Sequence, residues 1–322
     1  MNKLPLVSII IPVYNGSNFL KDAIKSALSQ EYKEVEILVI NDGSTDNGAT
    51  ERIAKEFGSK IRYFNKKNGG VASALNFGIN KMKGEYFSWL SHDDRYLPNK
   101  ISSQIMFIKK NKLEKCIIYS SYYYIDDRGE ILDDKSQSIA FDNKIKTRLA
   151  LILGRISLHG CTMLVPKDCF EVSGLFDEDL KTTQDYDLWF KMANHFRFCY
   201  LNNQLVESRN HLEQGSISMK EIVYEEGNEL YIFFLKSLKS SEILESGLGL
   251  THFYFIFWNR MARIGYITTI NHLITKVKDD ICNYKFISNP GIIILLPIMI
   301  VTKELALLKR ALLRIFCENT TK

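Results

Sequence analysis

Proline is scarce: the 322 residues hold 6 prolines and 18 glycines. That excludes a collagen-like or Pro-rich low-complexity chain and leaves little material for long linkers. The 6 cysteines (Cys116, Cys161, Cys169, Cys199, Cys282, Cys317) are scattered and form no C-x-x-C pair. This excludes a disulfide scaffold or a zinc ribbon and reads as reduced, mostly buried thiols. No G-x-G-x-x-G follows the first apolar run, and no G-x-x-x-x-G-K-[ST] occurs anywhere. Both absences weigh against a dinucleotide dehydrogenase and a P-loop NTPase. The first residues carry one Lys and run straight into strand-like sequence, without the apolar core or cleavage site of a secretory signal, so the expectation is a cytoplasmic chain. An apolar run at Ile292–Val301, interrupted only by Pro297, is too short to cross a bilayer alone, which takes ~20 residues.

What is present is ordinary for a folded domain: 46% apolar and 25% charged residues. The net charge of +5 is unevenly placed. Residues 250–322 hold ten Lys and Arg against four Asp and Glu, so the rest of the chain is slightly acidic. A nucleic-acid partner is therefore not expected, and the basic tail reads as a segment drawn to an anionic surface.

The first hundred residues alternate between buried-strand and helix patterns. Val7–Pro12, Val35–Ile40, Ile61–Phe64 and Tyr86–Leu90 read as strands, and the stretches between them carry helical periodicity. Strand starts recur about every 25 residues, the rhythm of βαβ units in a mainly parallel, Rossmann-like sheet flanked by helices. Farther on, Pro98–Lys110 and Gln184–Asn194 read as helices and Cys161–Val165 as a strand, and from about residue 220 the pattern is helical.

Ligands of open α/β sheets bind beyond the carboxyl ends of the strands. Those ends hold Pro12-Val13-Tyr14-Asn15, Asn41-Asp42-Gly43-Ser44-Thr45-Asp46, Asn68-Gly69-Gly70 and Ser91-His92-Asp93-Asp94. An edge rich in carboxylates repels a bare diphosphate and attracts one only through a divalent cation. Hard oxygen donors suit Mg²⁺ or Mn²⁺.

These motifs, followed by Gln184-Asp185-Tyr186-Asp187-Leu188-Trp189, resemble glycosyltransferase family 2, inverting enzymes of the GT-A fold. The resemblance covers about residues 5–215 and implies site roles. Pro12, Tyr14, Asn15, Asn68 and Gly69 would line the nucleotide pocket, and Asp42 would accept the imide N–H of uracil or thymine. Asp94 would bind the metal, and Asp93 the ribose or the groups around the metal. His92 stands where an acid is common, and Gln184 where Glu is usual. Asp185 would be the general base, which the chemistry requires because an acceptor hydroxyl must lose its proton as it attacks. Gln184, Trp189, His92 and Arg209 would face donor or acceptor sugar, Arg209 also being a candidate phosphate contact. His211, in the loop Arg209–Ser216, would be a further metal or diphosphate ligand.

The expected organisation is a nucleotide-sugar-binding half over 1–95, an acceptor-binding half over 96–220 and a helical extension over 221–322. In that extension, Phe253–Trp258 is strongly aromatic, and Lys303–Phe316 sorts apolar and basic residues onto opposite faces. The extension therefore reads as a peripheral contact with the inner face of the cell membrane. The function implied is transfer of a sugar from a UDP-sugar, or less readily a dTDP-sugar, to a glycan or a polyprenyl-diphosphate-linked acceptor. The alternative is a catalytically weak nucleotide-sugar-binding partner in a glycan-assembly complex. A nucleotidyltransferase would need a basic loop after the first strand, and Tyr14-Asn15-Gly16-Ser17 has none.

Overall fold

The computed structural model describes residues 4–135, 143–211 and 219–283. In chain order the strands among them are β1 (Val7–Val13), β2 (Val35–Asn41), β3 (Arg62–Asn65), β4 (Tyr86–Trp89), β5 (Arg95–Tyr96), β6 (Ile117–Ile125), β7 (Ile131–Lys135), β8 (Val165–Pro166) and β9 (Phe198–Arg209). The chain divides into two compact units, residues 1–148 with 156–220, and residues 149–155 with 221–322.

The first unit is built on a five-stranded sheet in the order β3-β2-β1-β4-β8. Its first four strands are parallel, and β8 closes the edge antiparallel to β4. All seven residues of β1 are buried, as a central parallel strand covered on both faces requires. Pro12 is tolerated there because β4 pairs with β1 only as far as Ile10. The helix Leu20–Leu28 crosses over between the neighbouring strands β1 and β2, Gly70–Lys81 carries the chain from β3 past β2 and β1 to β4, and the two bury Ala23, Ile24, Ala27, Ala74, Leu75 and Ile79. Strand order reverses between β1 and β4, which places a crevice beyond their carboxyl ends.

A second sheet, in the order β5-β9-β6-β7, carries the other half of this unit. Here β9 runs parallel to β6 and antiparallel to β5, and its last residue is Arg209. The sequence pattern does not reveal β9, whose middle residues Asn202 and Asn203 are exposed. The strand expected over Cys161–Val165 is instead a 3₁₀ turn, Gly160–Thr162, followed by the two-residue β8. The turn forms because His159 Nδ1 accepts the Cys161 N–H and His159 O accepts the Thr162 N–H.

The opposite, amino end of the parallel sheet is tied together by Glu36. Its carboxylate accepts hydrogen bonds from Ser8 Oγ (2.6 Å), the Lys83 N–H (2.5 Å), the Gly84 N–H (3.2 Å) and Arg62 Nη1 (2.6 Å). Burial alone would raise the Glu36 pKa, but these donors outweigh it and hold the pKa below the usual carboxylate value. Glu36→Ala strands these donors and is expected to cost about 2–3 kcal/mol, read as a lower urea midpoint at pH 7. The difference from wild type should shrink in acid. A depressed carboxyl pKa contributes stability that is lost as pH falls through the folded-state value.

The second unit contains the helices Ser240–Glu245, Leu250–Ile264 and Ile267–Asn283, with most of Lys220–Ser237. The aromatic run Phe253–Trp258 lies within one of them. Phe253, Tyr254 and Phe257 are buried in the core of this unit, and the Phe253 and Phe257 rings stack 6.0 Å apart. Half of the run therefore serves packing and is not available to a lipid surface, while Phe255 is exposed. No helix among the described residues is long and apolar enough to cross a membrane. Ile292–Val301 and the amphipathic stretch Lys303–Phe316 lie outside the described residues.

Candidate active site

The carboxyl edge of the parallel sheet assembles from three loops. After β1 the chain turns at Asn15, whose φ of 50° is left-handed. Its N–H donates to Ser44 Oγ at 2.9 Å, and its side-chain oxygen accepts the Thr45 N–H at 2.7 Å. The loops after β1 and β2 are thereby locked together, with Pro12 buried and Tyr14 46% exposed between them and solvent. Gly43 has φ +70°, and a Cβ there would lie 2.7 Å from the Asn68 backbone N. Gly43→Ala therefore meets both left-handed strain and a backbone clash. It is expected to lower the melting temperature by an amount equivalent to about 2 kcal/mol and to weaken nucleotide binding.

Asp42 is 3% exposed. Its carboxylate accepts from Lys66 Nζ (2.6 Å), from the Gly69 N–H (3.1 and 3.2 Å) and from the Gly70 N–H (2.7 Å), so it caps the helix that starts at Gly70. A carboxylate has about four acceptor positions, and the Gly69 N–H is shared across both oxygens, so a base imide would take the place of one of its two contacts. Asn68 is exposed beside this cap.

Beyond β4, the loop Ser91–Asp94 sends its side chains in different directions. His92 packs onto Gly16, where a Cβ would sit 2.3 Å from His92 Cδ2. Burial lowers the His92 pKa more than neighbouring Asp93 raises it. Asp93 Oδ2 lies 3.0 Å from His211 Nε2, and the His211 ring packs against Phe19 at 5.2 Å. His211, expected as a further metal or diphosphate ligand, thus meets the carboxylate of Asp93. Asp94 is 3% exposed and accepts the Arg209 N–H at 2.9 Å. Burial, reinforced by Asp93, pushes its carboxyl well above the usual range.

Arg209, expected at phosphate or sugar, is itself buried. Its guanidinium donates to the carbonyls of Asp93 (2.9 Å), Asp126 (2.8 Å) and Asp127 (2.9 Å) and lies 4.4 Å from the Phe19 ring centre. It therefore binds the end of β9 to the loop after β4.

Asp94, His159 and Cys161 bring potential ligand atoms within 4.8 Å of one another. Their hydrogen bonds have the wrong polarity for a metal in this arrangement. A ligating imidazole donates its other N–H outward, whereas His159 Nδ1 accepts the Cys161 N–H at 3.2 Å. The ring proton therefore sits on Nε2, which lies 3.1 Å from Ser208 Oγ and 3.7 Å from Asp94 Oδ2. Asp93 and His211 bring one carboxylate oxygen and one imidazole nitrogen into contact, and that nitrogen would have to release its proton before the pair could hold a divalent cation.

Asp185 lies in the first turn of the helix Gln184–Met192 and accepts its neighbour Tyr186's N–H at 2.8 Å. Burial pushes its carboxyl up to about 6, against the lowering by that N–H. Gln184 is 5% exposed, and its Oε1 is buried with no hydrogen-bond partner among the described residues. Trp189, expected at a sugar, is fully buried instead, edge-on to Phe176 at 5.7 Å in a cluster with Phe87, Trp89 and Phe170. Phe176, itself packed on Phe87, Trp89 and Phe170, draws it into the core, and the local pattern does not show that contact.

Sequence reasoning also missed Lys66 as the partner of Asp42, and His159 as the residue that links the Gly160–Thr162 turn to Asp94. In the sequence, His159-Gly160-Cys161 reads equally as an acceptor-side loop or as a plain turn before the expected strand.

A parallel sheet in the order β3-β2-β1-β4, an antiparallel edge strand and a carboxylate-bearing crevice at the switch point define the GT-A class of α/β folds. The chain belongs to glycosyl transferase family 2, whose family model matches residues 8–171. An uncharacterized glycosyltransferase of Rickettsia felis is 50% identical over 242 residues, which cover 75% of this chain and 40% of that protein. Similarity to a hyaluronan synthase of Pasteurella multocida is 31% identity over 204 residues, covering 63% of this chain and 20% of the synthase. The match thus spans about two-fifths of the length of the first curated relatives. Among solved structures, S. aureus TarS residues 1–349 in complex with UDP-GlcNAc shares the fold with a TM-score of 0.62 at 18% identity, covering 85% of this chain and 81% of that chain.

Proposed function

We propose that this chain is an inverting glycosyltransferase that moves a sugar from a UDP-sugar to a hydroxyl of a growing or lipid-linked surface glycan. The observation that carries the reading is the pairing of Asp93 with His211 at the switch point between β1 and β4. Likeness in fold to a protein crystallised with UDP-GlcNAc, and kinship with polysaccharide synthases, support the donor and product class. In this reading the nucleotide lies against Pro12, Tyr14, Asn15, Asn68 and Gly69, with Asp42 accepting from the base and holding Gly69 and Gly70 in place. Asp93 and His211 would hold the divalent cation, a role that moves here from Asp94 to its neighbour. The bound ion would offset charge on the departing diphosphate. Asp94 and Arg209 fix the position of Asp93 from behind, Asp94 through the Arg209 N–H and Arg209 through the Asp93 carbonyl. His92 supports the Gly16 turn, and Gln184 Oε1 supplies an unfilled acceptor for a sugar hydroxyl.

The acceptor hydroxyl gives its proton to Asp185 as its oxygen attacks the anomeric carbon from the face opposite the nucleotide. The C1–O bond to UDP breaks, the configuration inverts, and UDP leaves with the electron pair. A peripheral contact with the cytoplasmic membrane face through the chain beyond residue 283 completes the proposal.

The test is UDP release from a panel of UDP- and dTDP-sugars with Mn²⁺, Mg²⁺ or EDTA, followed together with thermal shift. Release from one UDP-sugar, abolished by EDTA, is the expected result. Release that is indifferent to EDTA would remove the cation, and no shift with any donor would remove the nucleotide-sugar reading.

A further inference from the structure

One buried amine lies behind the crevice and is left unused by the catalytic reading. Lys100 opens the helix Lys100–Asn111 and is fully buried. Its Nζ donates to Ser88 Oγ on β4 at 2.6 Å and to the Met163 carbonyl at 3.1 Å, and it lies 4.1 Å from the centre of the Tyr96 ring. Ser88 Oγ is 2.8 Å from the Tyr96 hydroxyl, which donates to the carbonyl of Trp89. One turn along the helix, Gln104 Nε2 donates to the Thr162 carbonyl at 2.8 Å. Lys100 and Gln104, four apart and so on one face, thus take both carbonyls at the carboxyl end of the Gly160–Thr162 turn. That turn touches the loop beyond β4 directly. Cys161 Sγ accepts the Ser91 N–H at 3.2 Å, and a Cβ on Gly160 would lie 2.3 Å from the Trp89 ring. The loop that carries Asp93 is therefore braced at its start through Trp89 and along its side through Cys161, and both braces lead back to Lys100.

We propose that Lys100 is a positioning residue: a single amine ties the end of β4 to the Gly160–Thr162 turn and so fixes where the Asp93 carboxylate stands in the crevice. The proposal rests on the transferase reading for the role of Asp93. Packing alone does not call for a lysine here. Among the described residues no carboxylate contacts the amine, and burial lowers its pKa to about 7. Burying an amine without a countercharge is unfavourable, so a methionine of similar length would fill the space at least as well. What the amine adds is a bond to each of two loops. A displacement of about 1 Å at a reacting group can cost about 100-fold in rate. The nucleotide base, which in the same reading is held at Asp42, does not depend on this brace.

The experiment compares the full chain with its variants Lys100→Met, Tyr96→Phe and Glu36→Ala. The readouts are UDP release from UDP-glucose, UDP-galactose and UDP-GlcNAc with Mn²⁺, and amide hydrogen exchange by mass spectrometry. Lys100→Met should fold, because Ser88 Oγ also reaches the Met163 carbonyl, at 3.2 Å, and keeps it paired. Its kcat is expected to fall at least about tenfold, with the KM for the sugar nucleotide within about threefold of wild type. Amides of the segments 88–94 and 160–164 should exchange at least about fivefold faster, while those of β2 and β3 stay unchanged. Tyr96→Phe removes the hydroxyl between Ser88 and Trp89 and should move both readouts the same way, by at least about threefold. Glu36→Ala loses stability at the other end of the sheet and should keep the wild-type kcat. A folded Lys100→Met with wild-type kcat, a loss of kcat without faster exchange in either segment, or an equal loss of kcat in Glu36→Ala overturns the proposal. If Lys100→Met does not fold, wild-type kcat and exchange in Tyr96→Phe overturn it. If wild type releases UDP from no sugar nucleotide, the transferase reading falls, and faster exchange of both segments in Lys100→Met leaves the brace standing.

Discussion

Asp185→Asn is expected to lower sugar transfer by about 10²–10⁴-fold while leaving UDP-sugar binding unchanged. The amide keeps the size and the bond from the Tyr186 N–H but accepts no proton from the acceptor hydroxyl. Wild type adds a second signature. With its carboxyl pushed up to about 6 by burial, Asp185 is ionised at pH 7.5 and increasingly protonated below pH 6. The rate should therefore fall toward tenfold per pH unit on the acid side of 6, and Asp185→Asn should lose that limb. Stability moves the other way. A carboxyl whose pKa is raised by folding contributes most below its unfolded value, and that contribution is lost as pH rises through 6. At pH 8 the variant should melt no lower than wild type, the usual exchange between stability and a poised catalytic group. Unchanged turnover in Asp185→Asn would remove it as base.

The second large effect separates two adjacent carboxylates. Asp93→Ala is expected to cost at least about 100-fold in metal-dependent UDP release, since a Lewis acid supplies several kcal/mol, and to leave the melting temperature nearly unchanged. Asp94→Ala should instead cost about 2–3 kcal/mol of stability, because it strands the buried Arg209 N–H. Isothermal titration with Mn²⁺ and UDP gives the binding side and thermal melting the other. Loss of Mn²⁺-dependent UDP binding in a well-folded Asp94→Ala, with Asp93→Ala binding normally, would return the metal to Asp94.

Four motifs at strand ends led from the sequence to the crevice, because buried strands, crossover helices and polar strand ends are written in local periodicity. Within the crevice the sequence was less informative. Adjacent residues such as Asp93 and Asp94 have the same chemistry in one dimension, and only the loop's path turns one toward His211 and the other toward Arg209 N. Trp189 and Arg209 show the same limit: both read as site residues by motif, and both are buried by partners 13 to more than 100 positions away.

By itself, then, the sequence determined the parallel sheet, the carboxylate-rich edge and Asp185 on a helix start, since each follows from short-range pattern and residue type. The tertiary structure alone decided which carboxylate meets a histidine, that Arg209 serves main-chain carbonyls, that half of the aromatic run is core, and that the Tyr186 hydroxyl takes the Leu158 N–H. Those are contacts between residues far apart in the chain, and their geometry is set by packing, which no local pattern encodes.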